Sequence, residues 1–248
     1  MNHVYGIGAQ KDERNICATI PGSLGGHLDD LTPQRIAEGL TTYVVLLFSL
    51  SVHEAAHAWA ALRMGDDTAL RGGRISLNPL VHIDPIGTVL LPAIMFLSSG
   101  SPLFGWAKPT PYNPANFRRD RSVAWGHIIV AGAGPISNMV LAVLFTGMLL
   151  VGLRATGGEL NETALRLFAV GIYVNVLLML FNLVPLPPLD GSKVASWGLP
   201  RWLGEAYDRV MQPYGPWILL LMVGTGALGW LIGPTMNALV TFLYGLAR

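Results

Sequence analysis

Residues 40–64 read LTTYVVLLFSLSVHEAAHAWAALRM, and this stretch carries the strongest structural signal in the chain. The run up to Val52 is almost wholly apolar, and the part beyond His57 remains mostly apolar. Upstream, Thr32 followed by Pro33 is a typical helix start, with a capping hydroxyl and a proline at the first helical position. The pattern therefore predicts one helix from about residue 32 to Met64, long enough to cross a bilayer.

Further apolar runs follow this helix. Three strong runs lie at about 123–153, 164–184 and 216–243, the last with a break expected near Gly233-Pro234. A shorter run at 86–97 is predicted to be a tilted span or a re-entrant piece. We therefore predict an all-α polytopic membrane protein with about five transmembrane helices, and a count of four to six fits the pattern.

Composition agrees with this class. Hydrophobic residues make up 52% of the chain and charged residues only 12%, which is an unusual balance for a soluble protein. The formal net charge of +1 gives no basic field for a nucleic acid, so nucleic acid is not expected as a partner. Cys17 is the only cysteine, which excludes an internal disulfide and a thiolate-rich metal site.

The polar segments set the predicted organisation. Residues 1–31 are expected to form a polar N-terminal segment, and 32–248 a single transmembrane domain. Turn glycines and alternating residues at 71–78 predict a short strand or β-hairpin, whereas 100–121 is a proline-rich, basic loop. In a five-span topology the larger share of the 16 Lys and Arg residues lies on the N-terminal side, which favours a cytoplasmic N-terminus.

An H-E-x-x-H pattern occupies residues 53–57 of the first predicted helix. Helical residues four apart lie about 40° apart around the axis and about 6 Å along it, so His53 and His57 can reach one ion. Glu54 flanks that face, where it can take a proton from a water molecule rather than bind the metal. Ionisable groups this deep in a span cost roughly 2.5–3.5 kcal/mol each, and a divalent cation would be their most economical partner.

A catalytic zinc usually takes three protein ligands and leaves a fourth position open. The candidates for the third ligand are His82, His127 and Asp190. Asp190 follows an apolar span that three prolines terminate. Asp190-Gly191 could equally be a turn in which Asp190 caps the next helix, and spacing alone leaves both interpretations open.

The sequence resembles the site-2 protease family, whose members cleave membrane-spanning proteins within the bilayer. The similarity depends on H-E-x-x-H at 53–57 and on Asn-x-x-Pro-x-Pro-x-Leu-Asp-Gly at 182–191. Three further segments look like family segments, at 78–87, 105–109 and 133–138. The match covers about residues 40–200, and no appended regulatory domain is visible.

The resemblance implies that His53, His57 and Asp190 bind one zinc ion per chain and that Glu54 is the catalytic base. Asn182 resembles a family asparagine that could donate hydrogen bonds to substrate or to the developing oxyanion; its alternative role is to cap carbonyls at the end of its helix. The implied function is an intramembrane zinc metalloprotease that hydrolyses a peptide bond in or near a transmembrane segment of its substrate. A multi-pass location in the cell membrane and a regulatory partner protein are also expected.

Several alternatives stay open. Asn138 either lines the site or braces two helices, and His82 either orients substrate or a ligand or is an ordinary loop histidine. His127 is interpreted as a packing or interface residue. Residues 74–77 are a candidate edge strand for unwound substrate. A zinc-binding transporter and a non-catalytic membrane scaffold are the rival functions.

Overall fold

The structure is a computed structural model, and it describes residues 32–99, 105–120 and 122–247. Within these ranges the chain is mostly helical. Short 3₁₀ turns lie at Pro79–Val81 and Pro114–Asn116, and a π-helical turn at Pro85–Leu90 leads directly into α3. The helices are α1 (Pro33–Arg63), α2 (Thr68–Arg71), α3 (Leu91–Ser99), α4 (Val123–Ala155), α5 (Glu162–Leu183), α6 (Asp190–Gly198), α7 (Arg201–Gly224) and α8 (Ala227–Leu246).

Four of these helices, α1, α4, α5 and α8, are long and apolar enough to cross a membrane. Large apolar side chains on their outer faces are exposed, among them Val44, Val143 and Phe242, as expected where lipid rather than water surrounds a helix. The prediction of an all-α polytopic membrane protein is confirmed, and the described residues contain four helices that could span the membrane. The shorter apolar helix over Pro85–Ser98 does not reach the length of a span.

The predicted start of the first helix is confirmed, and the turn at Pro85–Leu90 has a cap of the same kind. The hydroxyl of Thr32 accepts a hydrogen bond from the backbone N–H of Arg35 at 3.2 Å. The carboxylate of Asp84 accepts from the N–H groups of Ile86 and Gly87, at 3.0 and 2.7 Å. These caps satisfy donors that the first turn of a helix leaves unpaired.

The helices α1, α4 and α5 form the centre of the bundle. Val45, Leu46 and Leu50 of α1 share a buried cluster with residues 170–178 of α5. A second cluster joins α4, α5 and α8. An ion pair between Glu38 and Arg166 ties the N-terminal end of α1 to that of α5. A third cluster, which includes Ala60 and Ala61 of α1 and Val130 of α4, holds the histidine-bearing C-terminal third of α1 against the first half of α4.

The predicted strand at 71–78 is wrong: the part of the chain that the structure describes contains no strand. Gly72 and Gly73 close a turn behind α2 instead, where the N–H of Arg74 donates to the carbonyl of Ala69 at 2.9 Å. The guanidinium of Arg74, which is buried, donates to the carbonyl of Val81 at 2.5 Å. These contacts tie the segment to its neighbours along the chain, so the proposed edge strand for substrate is not formed.

The predicted last span at 216–243 is also corrected. It is divided between α7 and α8, and the break lies at Thr225-Gly226. Gly226 has φ 76°, a left-handed conformation that glycine adopts without the steric cost of a side chain. Pro234, where the break was expected, lies inside α8.

Asp66, in the turn after α1, connects that helix to the 105–120 segment. Its buried carboxylate accepts from the N–H of Asn113 at 2.6 Å, the amide of Asn116 at 2.8 Å and the hydroxyl of Thr68 at 2.5 Å. Burial of the carboxyl group acts to raise its pKa, but these hydrogen bonds outweigh that effect, and the pKa of Asp66 is lowered. The turn is therefore held by an ionised side chain.

We predict that Asp66→Asn costs about 1–3 kcal/mol of stability at pH 7. Because the folded pKa of Asp66 lies below its unfolded value of about 4, ionised Asp66 stabilises the fold above that value. This contribution is lost as the pH falls through the folded pKa, so the variant and the parent should converge in acid. Thermal unfolding at pH 7 and below pH 4 measures this, with the exposed Asp120→Asn as control; a gap that does not narrow in acid contradicts the prediction.

The predicted single domain at 32–248 stays a prediction. The polar segment 1–31, with Cys17, lies outside the described residues.

Candidate metal centre

The two histidines of the H-E-x-x-H pattern lie on one face of α1 and point at one place. Both side chains are buried, with residue exposures of 4% for His53 and 8% for His57. Their rings meet edge to face with centroids 4.7 Å apart, and their Nε2 atoms are 3.0 Å apart. Two ring nitrogens this close share one small volume, as the helical spacing predicts.

Asp190, which lies far from the histidines in the sequence, reaches the same volume from the start of α6. After α5 ends at Leu183, a proline-rich turn leads to Asp190, the first residue of α6. Its Oδ2 lies 3.2 Å from Nε2 of His53 and 3.1 Å from Nε2 of His57. Leu189, not Asp190, occupies the N-cap position of α6. The carboxylate therefore faces the histidines rather than capping its own helix.

The hydrogen bonds behind the rings establish which nitrogens are free. Nδ1 of His57 lies 2.7 Å from the carbonyl of Val130, and a carbonyl can only accept, so this nitrogen carries the proton. Nδ1 of His53 lies 2.6 Å from Oδ1 of Asn138. In a neutral ring the lone pair is then on Nε2, which faces Asp190, and the three candidate ligand atoms lie within 4.8 Å of one another. Two neutral imidazoles and a carboxylate suit a catalytic zinc ion.

Gly134 of α4 provides the space for these rings. A Cβ atom at this position would overlap both His53 and His57. Only a residue without a side chain lets α4 approach the two imidazoles so closely.

We predict that Gly134→Ala weakens zinc binding by about tenfold, since the added methyl group displaces both imidazoles. Gly147→Ala is the matched control, because a Cβ at Gly147, in the same helix, meets nothing within 4 Å. Zinc affinity measured by competition with a chelator checks this. Equal affinities for the two variants would show that the rings are not confined by Gly134.

Glu54 lies beside the three-residue group. Its Oε2 accepts a hydrogen bond from the backbone N–H of Thr110 at 2.8 Å, and the Thr110 hydroxyl donates to the Glu54 carbonyl at 3.0 Å. The 105–120 segment thus holds Glu54 by its side-chain carboxylate and by its backbone carbonyl. Sequence reasoning missed Thr110, because a contact made by a backbone N–H has no side-chain signature.

The comparisons with known proteins decide the family. The model of peptidase family M50 matches residues 41–222. The chain belongs to peptidase family M50.

Two relatives illustrate the similarity. A Bacillus subtilis protein is 38% identical over 200 residues, which cover 79% of this chain and 85% of that protein. A Mycolicibacterium smegmatis protein is 31% identical over 191 residues, 77% of this chain and 66% of that protein. Their names are "Putative zinc metalloprotease YwhC" and "Putative zinc metalloprotease Rip2". No solved structure matches the chain significantly.

Membership of M50 confirms the resemblance to the site-2 proteases. Both segments that carried it, 53–57 and 182–191, lie inside the matched region. The structure brings the histidines of the first segment and the aspartate of the second together. Their roles as ligands stay a prediction.

In this M50 site a lysine lies near Oδ1 of Asp190, the oxygen other than the one that contacts the histidines, and a tyrosine lies beside that lysine. Nζ of Lys193 is 3.9 Å from Oδ1 of Asp190 and 5.5 Å from the centre of the Tyr112 ring. Burial, together with the negative charge of Asp190, raises the pKa of Tyr112 to about 12. Its hydroxyl is therefore protonated at neutral pH and can donate to Nδ1 of His127, 3.1 Å away.

The remaining candidates from the sequence take different places. Nδ2 of Asn182 donates to the carbonyl of Leu178 at 3.0 Å, the helix-end contact named as its alternative role; a substrate contact stays a prediction. Nε2 of His82 donates to the carbonyl of Ser76 at 2.9 Å. His127 stacks on Trp197 with centroids 4.1 Å apart, a packing contact. Oδ1 of Asn138 contacts His53 of α1, and Nδ2 of Asn138 donates to Asn175 of α5.

Proposed function

We propose that His53, His57 and Asp190 bind the zinc ion of this intramembrane metallopeptidase and that Glu54 is its general base. The observation that supports this most directly is the convergence of three ligand atoms within 4.8 Å inside a bundle of membrane-spanning helices. Glu54 follows His53 directly in α1, whereas Asp190 contacts His53 and His57. The family and the names of its relatives agree with this activity.

A zinc ion at this position supplies Lewis-acid chemistry, acidifying a water molecule and polarising a peptide carbonyl. Glu54 takes a proton from the attacking water and passes it to the leaving amine nitrogen. The N–H of Thr110 fixes one oxygen of that carboxylate, so the other oxygen is the one available for proton transfer. Asn138 and the Val130 carbonyl keep the two imidazoles oriented.

The proposed substrate is a transmembrane segment of another protein. A helix hides its carbonyls in hydrogen bonds, so the segment must unwind locally before its peptide bond can be attacked. Glycine, proline or polar residues in the substrate segment should therefore favour cleavage. A regulatory partner protein remains part of the proposal.

The test combines zinc content with cleavage. Purified protein in detergent should contain one zinc ion per chain and should cut a model substrate that has a single transmembrane helix. Cleavage should stop on chelation and return when zinc is added. Cleavage that persists without metal would contradict the proposal; a zinc transporter would instead move zinc into liposomes without cutting the substrate.

We infer that the end of the bundle that carries the site faces the cytoplasm of the cell membrane. The loops after α1, before α4 and around α6 contact one another, as when the N–H of Arg118 donates to the carbonyl of Met64. Most of the described cations lie at this end: Arg63, Arg71, Arg74, Lys108, Arg118, Arg119, Lys193, Arg201 and Arg209. Only Arg35, Arg154 and Arg166 lie at the other end among the described residues. Cytoplasmic loops are rich in Lys and Arg, so this distribution places the start of α1 outside the cell. The five-span topology had favoured a cytoplasmic N-terminus.

We predict that, in a Cys17→Ser background, Glu159→Cys reacts with a membrane-impermeant maleimide on intact cells. Glu159 is exposed at the end opposite the site, between α4 and α5. The matched variant is Asp120→Cys, exposed at the end that carries the site, and it should react only after lysis. The reverse labelling pattern would contradict this orientation and would show that the N-terminal end of α1 faces the cytoplasm.

A further inference from the structure

Asn175, in the middle of α5, is a fully buried polar residue two hydrogen bonds away from the metal centre. Its Nδ2 donates to the carbonyl of Gly171 at 2.8 Å and to the hydroxyl oxygen of Ser49 at 2.9 Å. Its Oδ1 accepts from Nδ2 of Asn138 at 2.9 Å. A buried amide in a membrane span is costly unless all its groups are paired, and here both ends are paired.

The chemistry of these contacts fixes the direction of the whole chain of hydrogen bonds. The carbonyl of Gly171 has no proton, so the atom of Asn175 that faces it must be the NH₂ group. Oδ1 of Asn175 is then the acceptor that faces Asn138. Asn138 must present its NH₂ group there, which turns its own Oδ1 toward His53.

His53 receives its protonation from this arrangement. Because Oδ1 of Asn138 can only accept, Nδ1 of His53 carries a proton, and the neutral ring then has its lone pair on Nε2. His57 reaches the same state in a different way, since its Nδ1 faces the backbone carbonyl of Val130. A backbone carbonyl cannot turn round, whereas a side-chain amide can. Of the two histidines, only His53 therefore needs a second residue to fix the orientation of the group that its Nδ1 contacts.

We propose that Asn175 is a positioning residue that locks the Asn138 amide and thereby holds His53 as the Nδ1–H tautomer, with Nε2 presented to the zinc ion. The inference rests on the proposed function, in which His53 is a ligand. Without Asn175, the Asn138 amide can reverse and offer its NH₂ group to Nδ1 of His53. That orientation favours the tautomer with the proton on Nε2, which cannot bind metal.

The variant Asn175→Ser isolates this contact. A serine hydroxyl can still donate to the carbonyl four residues earlier in a helix, so the local bond to Gly171 is retained. It is too short to reach Asn138. Asn175→Asp is the rescue variant, because a carboxyl group keeps an oxygen acceptor for Nδ2 of Asn138. Thr146→Val is the control for loss of a buried hydroxyl, since Thr146 bonds only locally to Ala142 in α4.

Two measurements test the proposal on the full chain in detergent. Competition with a chelator gives zinc affinity, and Asn175→Ser should weaken it by about tenfold. Thr146→Val and Asn175→Asp should remain near the parent. The second measurement is the ¹⁵N spectrum of histidine-labelled, zinc-saturated protein, in which His53 and His57 should each show a protected Nδ1–H signal. In Asn175→Ser only the His53 signal should lose protection, with His57 as the internal reference.

An affinity equal to that of Thr146→Val, with the His53 signal retained, overturns the proposal. So does simultaneous loss of both histidine signals, because that indicates general loosening rather than a tautomer effect. The ligand assignment itself is tested separately by His53→Ala. If that variant binds zinc like the parent, the proposed function fails at His53, whatever Asn175→Ser does.

Discussion

Glu54→Gln is expected to retain one zinc ion per chain and to lose cleavage by about 10²–10⁴-fold in kcat. Glutamine preserves the shape of the side chain, and its carbonyl oxygen can still accept the hydrogen bond that Thr110 donates to Oε2 at 2.8 Å. What it loses is the ability to take up and return a proton. The proposed metal ligands His53 and His57 are untouched, so the variant should keep its metal content while it loses catalysis. Single-turnover cleavage of a fused transmembrane substrate, beside metal analysis, measures both.

Glu159→Gln is the matched control, because the same chemical change is made on an exposed residue far from the site. It should cleave like the parent. Near-parental turnover of Glu54→Gln would remove Glu54 from the mechanism. Loss of zinc together with activity would instead make Glu54 part of the metal-binding arrangement.

The part of the site that the sequence predicts is the part with local periodicity. His53 and His57 are four residues apart on a helix whose apolar length and Thr32 cap are readable from the sequence, so their common face follows from helix geometry. The association with Asp190 required the resemblance, since spacing alone allowed a capping role. The structure brings that carboxylate to 3.2 Å or less from both imidazoles.

The parts that sequence reasoning missed depend on tertiary contacts. Thr110 acts through its backbone N–H, and Asn175 looks like any polar residue within an apolar run. The alternating residues at 74–77 suggested a strand, but a strand needs a partner, and Arg74 instead bonds to nearby carbonyls. The break in the last span occurs at Gly226 rather than Pro234, because helices within a bundle tolerate proline and a left-handed glycine ends one.

Asp190→Ala is expected to lower zinc affinity by more than about a hundredfold, the upper end of the loss seen when residues behind a ligand are changed. Its Oδ2 contacts both histidines, so the substitution removes one of the three proposed ligands and the only negative charge among them. Cleavage should be abolished at zinc concentrations that saturate the parent. Chelator competition and metal analysis give the affinity and the content.

The competing interpretation, a helix cap, predicts a different outcome. A lost cap costs about 1 kcal/mol of stability and leaves the metal in place. Asn161→Ala measures that effect in the same protein, since Asn161 caps α5 by accepting from the N–H of Ala164 at 2.8 Å. If Asp190→Ala behaves like Asn161→Ala, with zinc content unchanged, Asp190 is not a ligand. His82 is then the next residue to test, because its Nδ1 is buried without a hydrogen-bond partner in the described structure.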